Sequence, residues 1–240
     1  MEKLCNNSTI NVPIGGLQKV SLVDYPGHIA AAVFTLGCNM RCGYCHNPEL
    51  VLPEQFLEPI PVETILGWLA TRRDKLDSVV ISGGEPTIHA ELPRLAQALK
   101  GLGFLVKLDS NGTNPAMIEV MIDTGVIDFL AMDIKGPLPR YSEIAARPID
   151  TDAIQQTIQL VLARGLDHEF RTTIVKSQLA IDEFTQIGEL VRGAKRFALQ
   201  RFRPGATLSP QFTHEETYSD DEFIKIQKVM EGYVERCVIH

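Results

Sequence analysis

Apolar residues along the chain fall into short strand-like runs separated by stretches with helical spacing, and the two kinds alternate. Residues 14–29 mix polar and apolar positions, with Tyr25-Pro26-Gly27 predicting a turn between two short strands. Ile29 to Leu36 is an apolar run closed by Gly37, the pattern of a strand buried on both faces. The proline-rich residues 48–61 predict a loop. Val62 to Thr71 has helical spacing, with Ile65, Leu66 and Leu69 on one face.

The pair then repeats. Ser78 to Ile81 reads as a strand, and Leu92 to Leu102 as an amphipathic helix stopped by Gly101 and Gly103. Phe104 to Leu108 is a strand, Pro115 to Thr124 a helix with proline in its first turn, and Val126 to Ala131 a strand. Residues 137–150 form a longer loop, expected as a surface or gating element. Ala153 to Ala163 is a helix ended by Gly165, followed by a strand over Glu169 to Val175 and a helix over Glu183 to Val191. A last strand covers Lys195 to Phe202. The closing helix over Asp220 to Glu235 begins with an acidic turn that suits the helix dipole.

About six strand–helix units in strict alternation predict a parallel α/β sheet with helices outside, as an open doubly wound sheet or a whole or partial barrel. No linker or composition shift divides the chain, so 1–240 is read as one domain, with a lead-in over 1–28 and a C-terminal loop and helix over 206–240. Polar and glycine-rich stretches follow the first four strands of this series. In parallel folds the carboxyl ends of strands build the active site.

Composition narrows the class. A 45% apolar and 22% charged chain can bury a real core. A net charge of -7 argues against a nucleic-acid binder. Residues 1–13 lack the order of a signal peptide, and no apolar run approaches the roughly 20 residues of a membrane span. Three of the five cysteines cluster, while Cys5 and Cys237 sit near opposite ends. That is unlike a secreted disulfide framework, and the expectation is a cytoplasmic protein with reduced thiols. Two distant cysteines cannot ligate a second cluster, so Cys5 and Cys237 are read as structural or incidental.

The clustered thiols, Cys38, Cys42 and Cys45, are spaced C-x3-C-x2-C directly after the first long apolar run. Thiolates suit zinc and iron–sulfur clusters. A zinc site completed by His46 is one reading, although such sites usually draw ligands from two separated knuckles. The other is a [4Fe-4S] cluster, which normally takes four thiolates, so that three leave one iron open. Gly83-Gly84-Glu85-Pro86 supplies glycines for close backbone approach to a ligand, with Glu85 or neighbouring carbonyls as acceptors for an ammonium group.

The cysteine spacing, with Tyr44 before the last thiol, resembles the signature of the radical S-adenosylmethionine (SAM) superfamily, and Gly83-Gly84-Glu85 resembles its GGE motif. That resemblance implies a full or partial (β/α) barrel, here a partial (β/α)6 barrel, and a [4Fe-4S] cluster whose open iron is chelated by SAM. It also implies reductive cleavage of SAM to a 5′-deoxyadenosyl radical that abstracts hydrogen. Residues 16–27, GLQKVSLVDYPG, together with Cys45-His-Asn-Pro-Glu49, resemble the activases of glycyl-radical enzymes, and most closely those of anaerobic ribonucleoside-triphosphate reductase. The implied substrate is a backbone glycine in a large partner protein, with a flavodoxin or ferredoxin as electron donor.

Asp109-Ser110-Asn111-Gly112 and Met132-Asp133-Ile134-Lys135 resemble the DTNG and DLK stretches of such activases. Carried over, Asp109, Ser110 and Asp133 would hold a monovalent cation beside the SAM carboxylate, and Lys135 would bind the carboxylate or ribose. Arg171 and Arg203 are further candidates for the carboxylate or adenosine, Arg203 standing where relatives carry His. His46 is read as a hydrogen-bonding neighbour of the cluster.

Overall fold

The computed structural model describes residues 9–240, so Cys5 lies outside the described residues. Eight strands form one sheet in sequence order. They are β1 (Ile14–Ser21), β2 (Ala30–Thr35), β3 (Ser78–Gly83), β4 (Leu105–Ser110), β5 (Phe129–Asp133), β6 (Asp167–Ile174), β7 (Phe197–Arg201) and β8 (Cys237–Ile239). β1 runs antiparallel to β2 across the predicted turn at Tyr25 to Gly27. Every later pairing is parallel. β1 and β8 are the two edges, so the sheet is an open, partial barrel.

The helices form where the apolar spacing places them: α2 (Val62–Ala70), α3 (Leu92–Gly101), α4 (Pro115–Asp123), α6 (Thr151–Arg164), α7 (Glu183–Leu190) and α8 (Asp220–Met230). In α3 the buried residues Leu92, Leu95, Ala96 and Leu99 make one stripe against the sheet. Asp150 caps α6 by accepting from Asp152 and Ala153 N–H, and Gly165 ends it in the left-handed region at φ 68°. A capping box between Ser219 and Glu222 starts α8.

The structure corrects several boundaries. The 48–61 loop contains a short helix, α1 (Pro48–Val51), and a 3-10 turn over Pro53–Gln55. β5 begins three residues later than the apolar run, and just before it the Asp128 carboxylate accepts from Val106 N–H and Lys100. β8 escaped the sequence reading because three residues carry no alternation of their own. Buried Cys237 sits on it, its thiol pushed up to about 12 by burial.

The larger correction concerns residues 137–150. They are no free gate. A 3-10 turn (Leu138–Arg140) leads into helix α5 (Tyr141–Ile144), and Tyr141, Ile144 and Ala145 are buried. Arg140 bonds to Glu143, Glu183 and the Gln178 carbonyl. Apolar residues at 141, 144 and 145 share one helical face, but a single turn is too short to establish a period.

Candidate active site

The loops at the carboxyl ends of β2 to β6 surround a cavity of about 240 Å³. Cys38, Cys42 and Cys45 line it as free thiols, together with Tyr44. Their loop is held by the chain rather than by a ligand. Gly37 N–H donates to the Leu50 carbonyl of α1 at 2.8 Å, and Arg41 N–H donates to Ala145 at the end of α5, also at 2.8 Å. The Arg41 guanidinium folds back onto the carbonyls of Cys38 and Met40. Burial raises the Cys38 thiol to about 12 and raises that of Cys45. A thiolate at either position therefore needs positive charge beside it, which a metal supplies. Among the described residues, no three His, Cys, Asp or Glu side chains gather into a single-ion site. The three thiols instead stand on a cavity wall, and as a soft donor set with room beside it they fit an iron–sulfur cluster.

Gly83 and Gly84 line the cavity, and the chain itself also requires them to lack a side chain. A Cβ on Gly84 would stand 2.0 Å from the Gly37 carbonyl oxygen, and one on Gly83 (φ 120°) 2.3 Å from Thr35 N. The glycines let the end of β3 press against the start of the cysteine loop.

Glu85 is also turned inward. It is 1% exposed and accepts from Thr87 N–H at 3.1 Å, Thr87 Oγ1 at 2.5 Å, Ser110 Oγ at 2.8 Å and Asn111 N–H at 2.6 Å. Burial raises its pKa, with these hydrogen bonds acting against the rise. Its carboxylate brackets the end of β3 to the end of β4, so an ammonium group would have to be received by neighbouring carbonyls. Asn111 extends the bracket, its amide donating to Asn39 Oδ1 at 2.8 Å and thereby reaching the cysteine loop.

Charge is concentrated on β4, β5 and β6. Asp133 accepts from Arg171 Nε at 2.5 Å and pairs with Lys135 Nζ at 2.9 Å. Asp109 pairs with Arg171 Nη1 at 3.2 Å, and Lys107 Nζ lies 2.8 Å from its other oxygen, outside hydrogen-bonding geometry. Burial opposes ionisation of both carboxyls, but Arg171, with Lys107 or Lys135, outweighs it and holds both below the usual range. The oxygens foreseen for a monovalent cation are thus each engaged by a protein cation, and the Ser110 hydroxyl is engaged by Glu85 and Gly112. Of the three cations, Lys135 and Arg171 line the cavity and Lys107 does not. Lys135 also lies 5.9 Å from the Tyr44 ring centre.

The structure therefore gathers every candidate from the sequence except Arg203, which is exposed and does not line the cavity. His46 lines it, but its Nδ1 faces the Ala206 carbonyl at 3.1 Å and its ring stacks on Phe202. Sequence reasoning missed Lys107, whose signal was a charged residue inside an apolar strand. It also missed Asn39 and Thr87, small polar residues with no spacing signal.

An open, mostly parallel sheet with three thiols on the first loop of its carboxyl edge defines a class of cluster-dependent α/β enzymes. Residues 32–183 match the family model described as the radical SAM superfamily, and the chain belongs to that superfamily. It is a radical SAM enzyme. Membership implies a [4Fe-4S] cluster and SAM. The chain is 31% identical to a Methanocaldococcus jannaschii protein named "Putative glycyl-radical enzyme activating enzyme", over 94% of this chain and 95% of that one. A 7-carboxy-7-deazaguanine synthase of Neisseria meningitidis is 38% identical over 35% of this chain and 36% of its own. Among solved structures, SAM-bound SuiB of Streptococcus suis superposes with a TM-score of 0.63 at 14% identity, over 85% of this chain and 48% of SuiB. TYW1 superposes at 0.62 and 18% identity, over 85% of this chain and 73% of its own.

Proposed function

We propose that this enzyme installs a glycyl radical in a partner protein, and that the partner is an anaerobic ribonucleoside-triphosphate reductase. The observation that carries the reading is the similarity to the M. jannaschii relative along 94% of the chain, which takes in residues outside the cluster loop. The lead-in GLQKVSLVDYPG and the CHNPE stretch support the choice of reductase. Similarity to 7-carboxy-7-deazaguanine synthase, which would favour a small-molecule substrate, spans 35% of the chain.

In this reading Cys38, Cys42 and Cys45 hold the cluster and leave one iron for SAM. When bound, the cluster and SAM supply a carbon-centred radical able to abstract hydrogen. The chain's own residues position and shield. Lys135 and Arg171, the two cations that line the cavity, attract the SAM carboxylate, and Tyr44 lines the cavity beside Lys135. Carbonyls near Gly83 and Gly84 take the ammonium, while Asp109, Ser110, Asn111 and Glu85 keep the strand ends in place. No monovalent cation is needed, because Lys107, Lys135 and Arg171 already neutralise the two aspartates. A flavodoxin or ferredoxin supplies the electron, and the reduced thiols suit the cytoplasm.

The test is anaerobic reconstitution with iron and sulfide, reduction, and incubation with SAM and the reductase, read by electron paramagnetic resonance. A glycyl radical signal that requires SAM and the partner is expected. A Cys42→Ser variant should bring SAM cleavage to background with its far-ultraviolet circular dichroism unchanged. Cleavage by that variant at the wild-type rate would overturn the assignment of the thiols. Robust SAM cleavage with no radical in the reductase would overturn the partner.

A further inference from the structure

The segment between β7 and α8 carries no motif, yet it is folded against the cysteine loop. It closes on itself, Gly205 N–H donating to the Thr213 carbonyl at 3.2 Å and Phe212 N–H to Ser209 at 3.0 Å. Its backbone then reaches across. Leu208 N–H donates to the Cys45 carbonyl at 2.8 Å, and Ser209 N–H donates to the Gly43 carbonyl at 2.9 Å. The Ala206 carbonyl lies 3.1 Å from His46 Nδ1.

Side chains complete the contact. The His46 ring lies nearly parallel to Phe202, 5.3 Å between centres. Phe212 meets Tyr44 edge to face at 6.3 Å and fills the space beside Gly43, where a Cβ would stand 2.3 Å from its ring. Gly43 is buried and is not among the positive-φ glycines, so only the ring forbids a side chain there.

We propose that residues 206–212 form a strap that positions the cysteine loop and shuts its backbone off from water, with Phe212 as the positioning residue. Apart from its Arg41 and Gly37 anchors, the loop between Cys42 and Cys45 has one internal backbone bond, Cys45 N–H to Cys42. The carbonyls of Gly43 and Cys45 need partners. The strap supplies them from protein, so the thiols on either side keep their direction whether or not metal is bound. Exclusion of solvent around an iron–sulfur cluster in turn governs its persistence and potential. The inference rests on the superfamily's cluster and is independent of which partner the enzyme serves.

The experiment follows iron release. Wild type, Phe212→Ala, Phe212→Leu, Gly43→Ala and the Phe212→Ala/Gly43→Ala double variant are reconstituted anaerobically and exposed to an iron chelator. Loss of visible cluster absorbance is timed, and circular dichroism monitors the fold. Losing about 1 kcal/mol of local closure corresponds to release about fivefold faster in Phe212→Ala. Phe212→Leu, which keeps apolar bulk, should stay near the wild-type rate. Gly43→Ala should also accelerate release, because its methyl displaces the ring. In the Phe212→Ala background the same methyl should change the rate by less than about twofold, since the pair acts through one contact.

Wild-type release in Phe212→Ala, or independent multiplication of the two effects, overturns the proposal. If Phe212→Ala does not fold, Gly43→Ala decides: it removes no atom, and unchanged release there overturns the strap. Iron release needs neither SAM cleavage nor a partner, so its failure leaves the activase reading standing, and failure of that reading leaves the strap standing.

Discussion

Arg171 lies between two carboxylates, buried Asp109 and half-buried Asp133, that raise each other's pKa, and its guanidinium makes their coexistence tolerable. A carboxyl depressed in the folded state adds stability above its unfolded pKa of about 3.9, and that stability is lost as pH falls toward the folded value. Arg171→Met leaves Asp109 with Lys107 and Asp133 with Lys135, so the cost falls short of a fully stranded buried charge and is about 1–3 kcal/mol at neutral pH. Urea unfolding of the metal-free protein should show that gap at pH 7. The gap should narrow as pH falls through about 4 to 3, where protonation neutralises the two aspartates in the variant. A gap that does not change with pH would deny Arg171 this role. Asp109, Asp133, Lys135 and Arg171 were all legible in the sequence, because a charge closing an apolar strand is conspicuous. Who pairs with whom was not, since the partners come from three strands.

At the scale of elements, helix α5 connects the sheet to the cysteine loop, and its end carries local strain. Ala146, just beyond it, sits at φ 50°, a left-handed conformation costing a non-glycine residue about 1–2 kcal/mol. The preceding carbonyl, on Ala145, receives Arg41 N–H. Ala146→Gly should therefore raise stability by about 0.5–1 kcal/mol, read as a higher urea midpoint at unchanged slope. A fall of similar size, the usual penalty for glycine, would mean the strain is absent. The long helices could be read because their stripes span several turns, and their boundaries shifted by only a few residues. A four-residue helix and a three-residue strand hold too few positions to establish a period. Only their packing makes them visible.

At the scale of the molecule, β1 and β8 close the two edges of an open sheet. β8 is short, but it occupies the exposed side of β7: Phe197 N–H bonds to Arg236, Arg201 N–H to His240, and His240 N–H to Leu199, each at 2.9 Å. Deleting residues 236–240 removes those bonds and the burial of Cys237, a loss of about 2–4 kcal/mol. It also exchanges a three-residue edge strand for the longer β7. Thermal unfolding should fall and size-exclusion profiles should become concentration-dependent. A truncated chain that melts and elutes as wild type would show that β7 needs no cover.

The sequence by itself determined the order of the longer strands and helices, the three thiols, and the polar stretches at consecutive strand ends. Those features are local, written by side-chain period and by spacing within a few residues. Tertiary structure alone decided what the residues do to one another. Gly84 makes room for Gly37, Glu85 ties two strand ends together, Lys107 enters the charged network, and the strap from 206 to 212 closes on the cysteine loop. The physical reason is separation along the chain. His46 and Ala206 are 160 residues apart, and only the folded sheet brings a carbonyl to that ring.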